Sequence, residues 1–158
     1  MLTKKFKGIW FYGLSGSGKT ISSKFLKKKI KDSLIIDGDK VRKLISFDLN
    51  YSLKDRKIQI KRIYGIVRIS IASNIFPIAS SVYMDENLNK KLKKRKVLVV
   101  RMLRSLKSIK NRKKIYKSKI INVVGKDIKM PRLNNIYIIK NDQSLKNLQK
   151  KIEKVFYE

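Results

Sequence analysis

Gly13-Leu14-Ser15-Gly16-Ser17-Gly18-Lys19-Thr20 satisfies every fixed position of the pattern G-x-x-x-x-G-K-[ST]. The run before it, Lys7 to Tyr12 (KGIWFY), is apolar and aromatic and stops at Gly13, as a buried strand ending in a turn does. After it, Ile21, Phe25 and Leu26 recur at helical spacing between Lys19 and Lys31. Strand, glycine-rich loop and helix in this order are the context in which the pattern cradles phosphate. Glycines at 13, 16 and 18 allow backbone conformations that a Cβ opposes, so successive N–H groups turn toward phosphate oxygens. The start of the following helix adds its positive dipole end. Gly13, Ser15, Gly16, Ser17, Gly18, Lys19 and Thr20 are therefore the expected nucleotide-binding residues. Lys19 supplies a cation to the β- and γ-phosphates and Thr20 a hydroxyl ligand for Mg²⁺, which makes ATP and Mg²⁺ the expected cofactors.

Outward from the loop, strands and helices alternate. Ser33 to Ile36 reads as a second strand that runs into Asp37-Gly38-Asp39, and Val41, Arg42 and Leu44 suggest a short helix after it. The two carboxylates fall at a strand end, where open α/β sheets place their ligands. A carboxylate there can hold Mg²⁺ through water or accept a proton from an attacking hydroxyl; Asp-Gly-Asp is equally an ordinary surface turn. Ser52-Leu53-Lys54-Asp55 resembles a capping box, with Asp for the usual Glu or Gln, opening a helix to about Ser73 in which Ile58, Arg62, Ile66 and Ile69 recur at three or four residues.

Ile75 to Ser80 and Val97 to Arg101 read as further buried strands, with a helical or irregular stretch from Tyr83 to Arg95 between them. Leu106 to Ile121 is basic and weakly amphipathic. Ile136 to Ile139 is a last strand, and Ser144 to Phe156 a last helix with Leu145, Leu148, Ile152 and Val155 on one face. The expected architecture is α/β, a P-loop NTPase fold with a mainly parallel five-stranded sheet and helices on both faces.

The 158 residues are a one-domain length, so residues 1–158 are expected to form a single domain. Lys and Arg number 41 against 11 Asp and Glu, a formal charge of +30 that attracts phosphates, nucleotides, RNA or an anionic membrane surface. The Lys residues run along the whole chain with abundant Ile and Asn, as a low-GC genome supplies without selection for nucleic-acid binding. The basic run Lys90 to Lys96 reads as a solvated helix end or loop. With no cysteine, disulfides, thiolate catalysis and Cys-based metal sites are excluded. No apolar segment of signal-peptide or membrane-spanning length stands at the start, so a cytoplasmic protein without membrane attachment is the expectation.

Four stretches, Trp10 to Thr20 (WFYGLSGSGKT), Asp37 to Arg42 (DGDKVR), Leu49 to Arg56 (LNYSLKDR) and Ile115 to Asp127 (IYKSKIINVVGKD), occur in the order and approximate spacing of the signatures of adenylylsulfate kinases, which the chain resembles over roughly residues 8 to 140. The resemblance implies transfer of the ATP γ-phosphate to the 3′-hydroxyl of adenylylsulfate, a small-molecule nucleotide acceptor, and a homodimer by analogy. It implies catalytic roles for Lys19, Asp37, Asp39 and Ser81, with Thr20 and Asp37 at the metal. Asp39, Arg42, Tyr51, Arg56, Gln59, Ser80 and Ser81 would line the acceptor site, Tyr51 packing on the acceptor's base and Arg56 reaching its anionic groups. Ser81 stands at a serine that is associated with a phosphoserine in bacterial members; it is read as lining the site first. A lid at about residues 104–121 would close over ATP and exclude water, with Lys113 as its contact.

The chain departs from the family pattern at Ser80 to Asp85, where Ile-Ser-Pro and arginines are usual, at Gln59 in place of asparagine, and at Asn122 to Gly125, in place of a stretch whose phenylalanine stacks on the acceptor base. These departures keep open a second acceptor, another nucleotide-activated group such as cytidine diphosphoramidate in surface-polysaccharide modification. A third reading, a non-catalytic basic RNA-binding protein, is supported by the charge alone, without an RNA-binding signature.

Overall fold

A computed structural model describes residues 5–112, 116–117 and 119–157, without the side chains of residues 110–112. Five strands form one sheet: β1 (Gly8–Tyr12), β2 (Ser33–Asp37), β3 (Phe76–Ser81), β4 (Val97–Leu103) and β5 (Tyr137–Lys140). Their order across the sheet is β2-β3-β1-β4-β5, and every pairing is parallel. The expected α/β architecture is thus present, and the sheet is wholly parallel rather than mainly so.

Six helices cover it: α1 (Lys19–Lys29), α2 (Gly38–Leu44), α3 (Leu53–Ala72), α4 (Glu86–Lys94), α5 (Leu106–Arg112) and α6 (Leu145–Tyr157). Side chains alternate along a strand, so β1 feeds both layers of the core. Trp10 and Tyr12 pack with Ile60, Ile63 and Val67 of α3 and with Leu88 and Leu92 of α4. Ile9 and Phe11 pack with Leu26 of α1 and with Leu148, Ile152 and Phe156 of α6. All of these are buried, and burying one large apolar side chain contributes about 1.5–3 kcal/mol.

The ends of the elements differ from the sequence reading at a few places, for local reasons. Ser52 does cap α3, its hydroxyl oxygen accepting from Asp55 N–H at 3.1 Å, but the Asp55 carboxylate accepts from that hydroxyl at 2.7 Å and makes no bond back to the Ser52 backbone. An aspartate is one methylene shorter than the glutamate of a full capping box. The buried face of α3 carries Gln59, Ile60, Ile63, Val67 and Ser70, whereas Ile69 is exposed, one position away from the expected stripe. Likewise α6 buries Leu148, Ile152 and Phe156 while Leu145 is exposed. The stretch Tyr83 to Arg95 contains α4, and Lys90, Lys91 and Lys93 to Lys96 are exposed around its last turn, as a solvated helix end. Among the described residues no helix is long and apolar enough to cross a membrane.

Candidate active site

Strands β1, β2 and β3 deliver their C-terminal ends to one edge of the sheet, and there a cleft of about 610 Å³ joins the glycine-rich loop to the Asp37–Asp39 turn and to Tyr51 and Arg56. The loop's shape demands glycine at two places. Gly13 and Gly18 have φ of +151° and +104°; a Cβ at Gly13 would collide with the Met102 carbonyl, and one at Gly18 with the Asn141 amide. Lys19 Nζ donates to the carbonyls of Gly13 at 2.7 Å and Leu14 at 2.9 Å, bridging the mouth of the loop. Ser15, Gly16, Gly18, Lys19 and Thr20 line the cleft. Ser17 is fully buried, and its N–H donates to the Leu14 carbonyl at 3.1 Å, so it shapes the loop from behind; Gly13 N–H donates to the Ser81 carbonyl at 3.3 Å.

Asp37 ends β2 and caps α2: its Oδ1 accepts from the N–H of Asp39 at 2.9 Å and of Lys40 at 3.4 Å. This cap aims the first turn of α2 into the cleft, where Asp39 is exposed. Gly38 lies against the Ser80 carbonyl, and its own carbonyl accepts from Gln59 Nε2 at 2.9 Å, which fastens α2 to α3. Gln59 is buried, lines the cleft, and its Oε1 has no hydrogen-bond partner among the described residues. A buried, unpaired acceptor beside a cleft suits a ligand hydroxyl or amino group.

Ser80 and Ser81 end β3 and are both buried at the cleft floor. The Ser81 hydroxyl oxygen accepts from Trp10 Nε1 at 2.9 Å and donates to the Tyr83 carbonyl at 2.7 Å.

Part of the cleft lining is cationic and aromatic. Tyr51 is half exposed, with the Arg42 guanidinium 4.6 Å and the Arg56 guanidinium 5.6 Å from its ring centre. Arg42 Nη1 donates to the Asn50 carbonyl at 2.6 Å. Arg56 donates from Nε to the Tyr51 carbonyl at 3.1 Å and from Nη2 to the Asn122 carbonyl at 2.7 Å. Burial, and then the neighbouring Arg42, lower the Arg56 pKa from its usual value, against Tyr51, Tyr116 and Asp39. Two guanidiniums beside one ring offer donors of the planar fork geometry that suits an anion.

Of the residues expected from sequence, Asp37, Asp39, Arg42, Tyr51, Arg56, Gln59, Ser80 and Ser81 share the cleft with the loop. Lys113 lies outside the described residues. Arg104 and Tyr116, from the segment expected as a lid, and Val123, from the stretch expected near the acceptor base, also line the cleft; the sequence reading passed over Asn141, whose amide touches the loop. Thr20 and Asp37 offer a hydroxyl and a carboxylate to one cleft. These are hard oxygen donors, and with phosphate oxygens and water they fit Mg²⁺, which seldom needs an all-protein cage. Among the described residues no group of three or more acidic side chains gathers to hold a metal alone.

Residues 5–127 match the sequence model of the family described as adenylylsulphate kinase. An adenylyl-sulfate kinase of Buchnera aphidicola subsp. Acyrthosiphon pisum is 32% identical over 165 aligned positions, covering 94% of this chain and 80% of that protein. A second, from Clostridium acetobutylicum, is 31% identical across 52% of this chain and 43% of its own length. In three dimensions the chain is similar to the Mycobacterium tuberculosis APS kinase CysC, solved in complex with AMPPNP and APS, with a TM-score of 0.85 at 21% identity over 97% of this chain and 98% of that one. The chain belongs to the adenylylsulphate kinase family and is an ATP-dependent kinase by that membership.

Proposed function

We propose that this chain transfers the γ-phosphoryl group of ATP to the 3′-hydroxyl of adenylylsulfate, releasing ADP and 3′-phosphoadenylylsulfate. The observation that carries the reading is one cleft lined both by the phosphate loop with Lys19 and by the Arg42–Tyr51–Arg56 cluster. ATP would lie on Ser15, Gly16 and Gly18, and the Lys19 ammonium would leave the Gly13 and Leu14 carbonyls for the β- and γ-phosphates. Mg²⁺, held by Thr20 and Asp37, would neutralise phosphate charge when bound. Adenylylsulfate is a purine nucleotide with an anionic tail, so it would place its base on Tyr51 and its anionic groups on Arg42 and Arg56. Asp39, exposed to the cleft, would take the hydroxyl proton as the new P–O bond forms and the β,γ-bridging bond breaks. Gln59 Oε1 would accept from the acceptor.

The rest is positioning: both substrates held in line, with water excluded by closure of the segment after β4. One observation favours a second acceptor. Val123 lines the cleft, so an acceptor base would meet an aliphatic side chain at the position where the family pattern has a stacking ring, which suits a smaller cytidine-based acceptor. Coupled ADP release with Mg²⁺-ATP tests both. Release that depends on adenylylsulfate supports the reading, release only with cytidine diphosphoramidate replaces it with the second acceptor, and release with neither overturns both.

A further inference from the structure

Three carbonyls of the phosphate loop are each held by a side chain from far along the chain. Ser15 O accepts from the Tyr116 hydroxyl at 3.4 Å, Gly16 O from Arg104 Nη1 at 3.4 Å, and Ser17 O from Asn141 Nδ2 at 2.9 Å. Asn141 is the best fixed of the three. It is buried, it follows β5 directly, and its backbone N–H donates to the Leu103 carbonyl at 2.7 Å, which ties it to the end of β4. Its amide lies so close to the Gly18 Cα that a Cβ there would strike it.

A trans peptide unit is planar, with its C=O and N–H pointing in opposite directions. Whatever holds the Ser17 carbonyl outward therefore turns the Gly18 N–H inward, toward the phosphates. We infer that Asn141 is a positioning residue of the phosphate loop, which sets the direction of the Gly18 N–H through the Ser17 carbonyl without touching the nucleotide. The donor polarity of the side chain is what matters. The isosteric carboxylate of Asn141→Asp would face the Ser17 carbonyl oxygen with another acceptor and would favour a flipped peptide, whereas Asn141→Ala only removes the restraint.

The inference rests on ATP occupying this loop, as proposed above, and its test needs no acceptor. The dissociation constant of a fluorescent ATP analogue, N-methylanthraniloyl-ATP with Mg²⁺, is measured for the wild type, Asn141→Ala and Asn141→Asp, beside the melting temperature of each nucleotide-free protein. Expected is a loss of about tenfold or more in affinity for the aspartate variant and a smaller loss for the alanine variant, with both folded but melting below the wild type because the buried Ser17 carbonyl loses its donor while the backbone bond to Leu103 survives. A merely structural side chain would lower the melting temperature and leave the affinity of the folded protein unchanged, which would overturn the inference. So would equal losses in the two variants, or failure of both to fold; if only the aspartate variant fails to fold, wild-type affinity in the alanine variant overturns it and weakened affinity supports it. A wild type that does not bind the analogue removes the ATP reading itself and this inference with it.

Discussion

Trp10 Nε1 donates to the Ser81 hydroxyl oxygen at 2.9 Å across two paired strands, and that hydroxyl spends its own proton on the Tyr83 carbonyl at 2.7 Å. The serine at the floor of the cleft thus engages both its oxygen and its proton, a geometry that favours a structural bridge over a free nucleophile.

If that bridge is its role, the protein incubated with Mg²⁺-ATP and no acceptor gains no phosphate at Ser81, as read by peptide mass spectrometry. Ser81→Ala leaves the buried indole N–H without its partner and is expected to cost about 1–3 kcal/mol in denaturant unfolding. Phosphate found on Ser81 would contradict the assignment.

Lys19 is bonded across the mouth of the glycine loop. Lys19→Ala is expected to lower kcat by at least about a hundredfold, the scale of losing one preorganised charge stabiliser of a transition state, with an unchanged circular dichroism spectrum. Full ATP turnover by the variant would remove the loop from catalysis.

Arg56 joins α3, the Tyr51 backbone and Asn122. Arg56→Ala is expected to weaken acceptor binding by about 1.5–3 kcal/mol, the range for a hydrogen bond to a charged group, while the affinity for ATP stays near the wild type. Separate titrations of the two substrates check this, and equal losses would deny it an acceptor role.

Tyr12 carries a different kind of prediction. Its hydroxyl is buried with no hydrogen-bond partner among the described residues, and burial raises its pKa from 10.0 to about 12, with Arg101 opposing and Glu86 adding to the rise. A phenol whose folded pKa lies above its unfolded one favours the fold fully below pH 10.0 and loses that contribution as the pH climbs toward about 12. Tyr12→Phe is therefore expected to be neutral or up to about 1 kcal/mol more stable near pH 8, since it removes an unpaired polar group. Above pH 10.0 its stability should fall less steeply than that of the wild type.

What could be read from the sequence was whatever is encoded locally. The loop from Gly13 to Thr20 and the Asp37 turn are short-range patterns, and each sits where a strand ends, so both the fold and the phosphate end of the site could be placed before any coordinates. The long helix α3 could be found but not rotated correctly, because apolar residues occur on most of its sides and only the sheet decides that Ile60, Ile63 and Val67 face inward while Ile69 faces water. Asn141 carried no signal and Arg104 none beyond its place in the expected lid, for their contacts depend on β4 lying beside β1, on β5 lying beside β4 and on the carbonyls they meet.

The order of strands has a consequence for how the protein comes into being. The segment β1 that carries the loop is paired on one side with residues of β3 and on the other with residues of β4, and the Asn141 bond to Ser17 closes a separation of 124 residues. Long-range pairings of this kind are late and slow events in folding, since the entropy of closing the loop is lost before any contact repays it. During synthesis the phosphate loop therefore leaves the ribosome long before the residues that give it shape. A nascent chain halted before Asn141 would carry the whole glycine motif and still lack one of its fixed supports, so its affinity for nucleotide is expected to be lower than that of the finished fold.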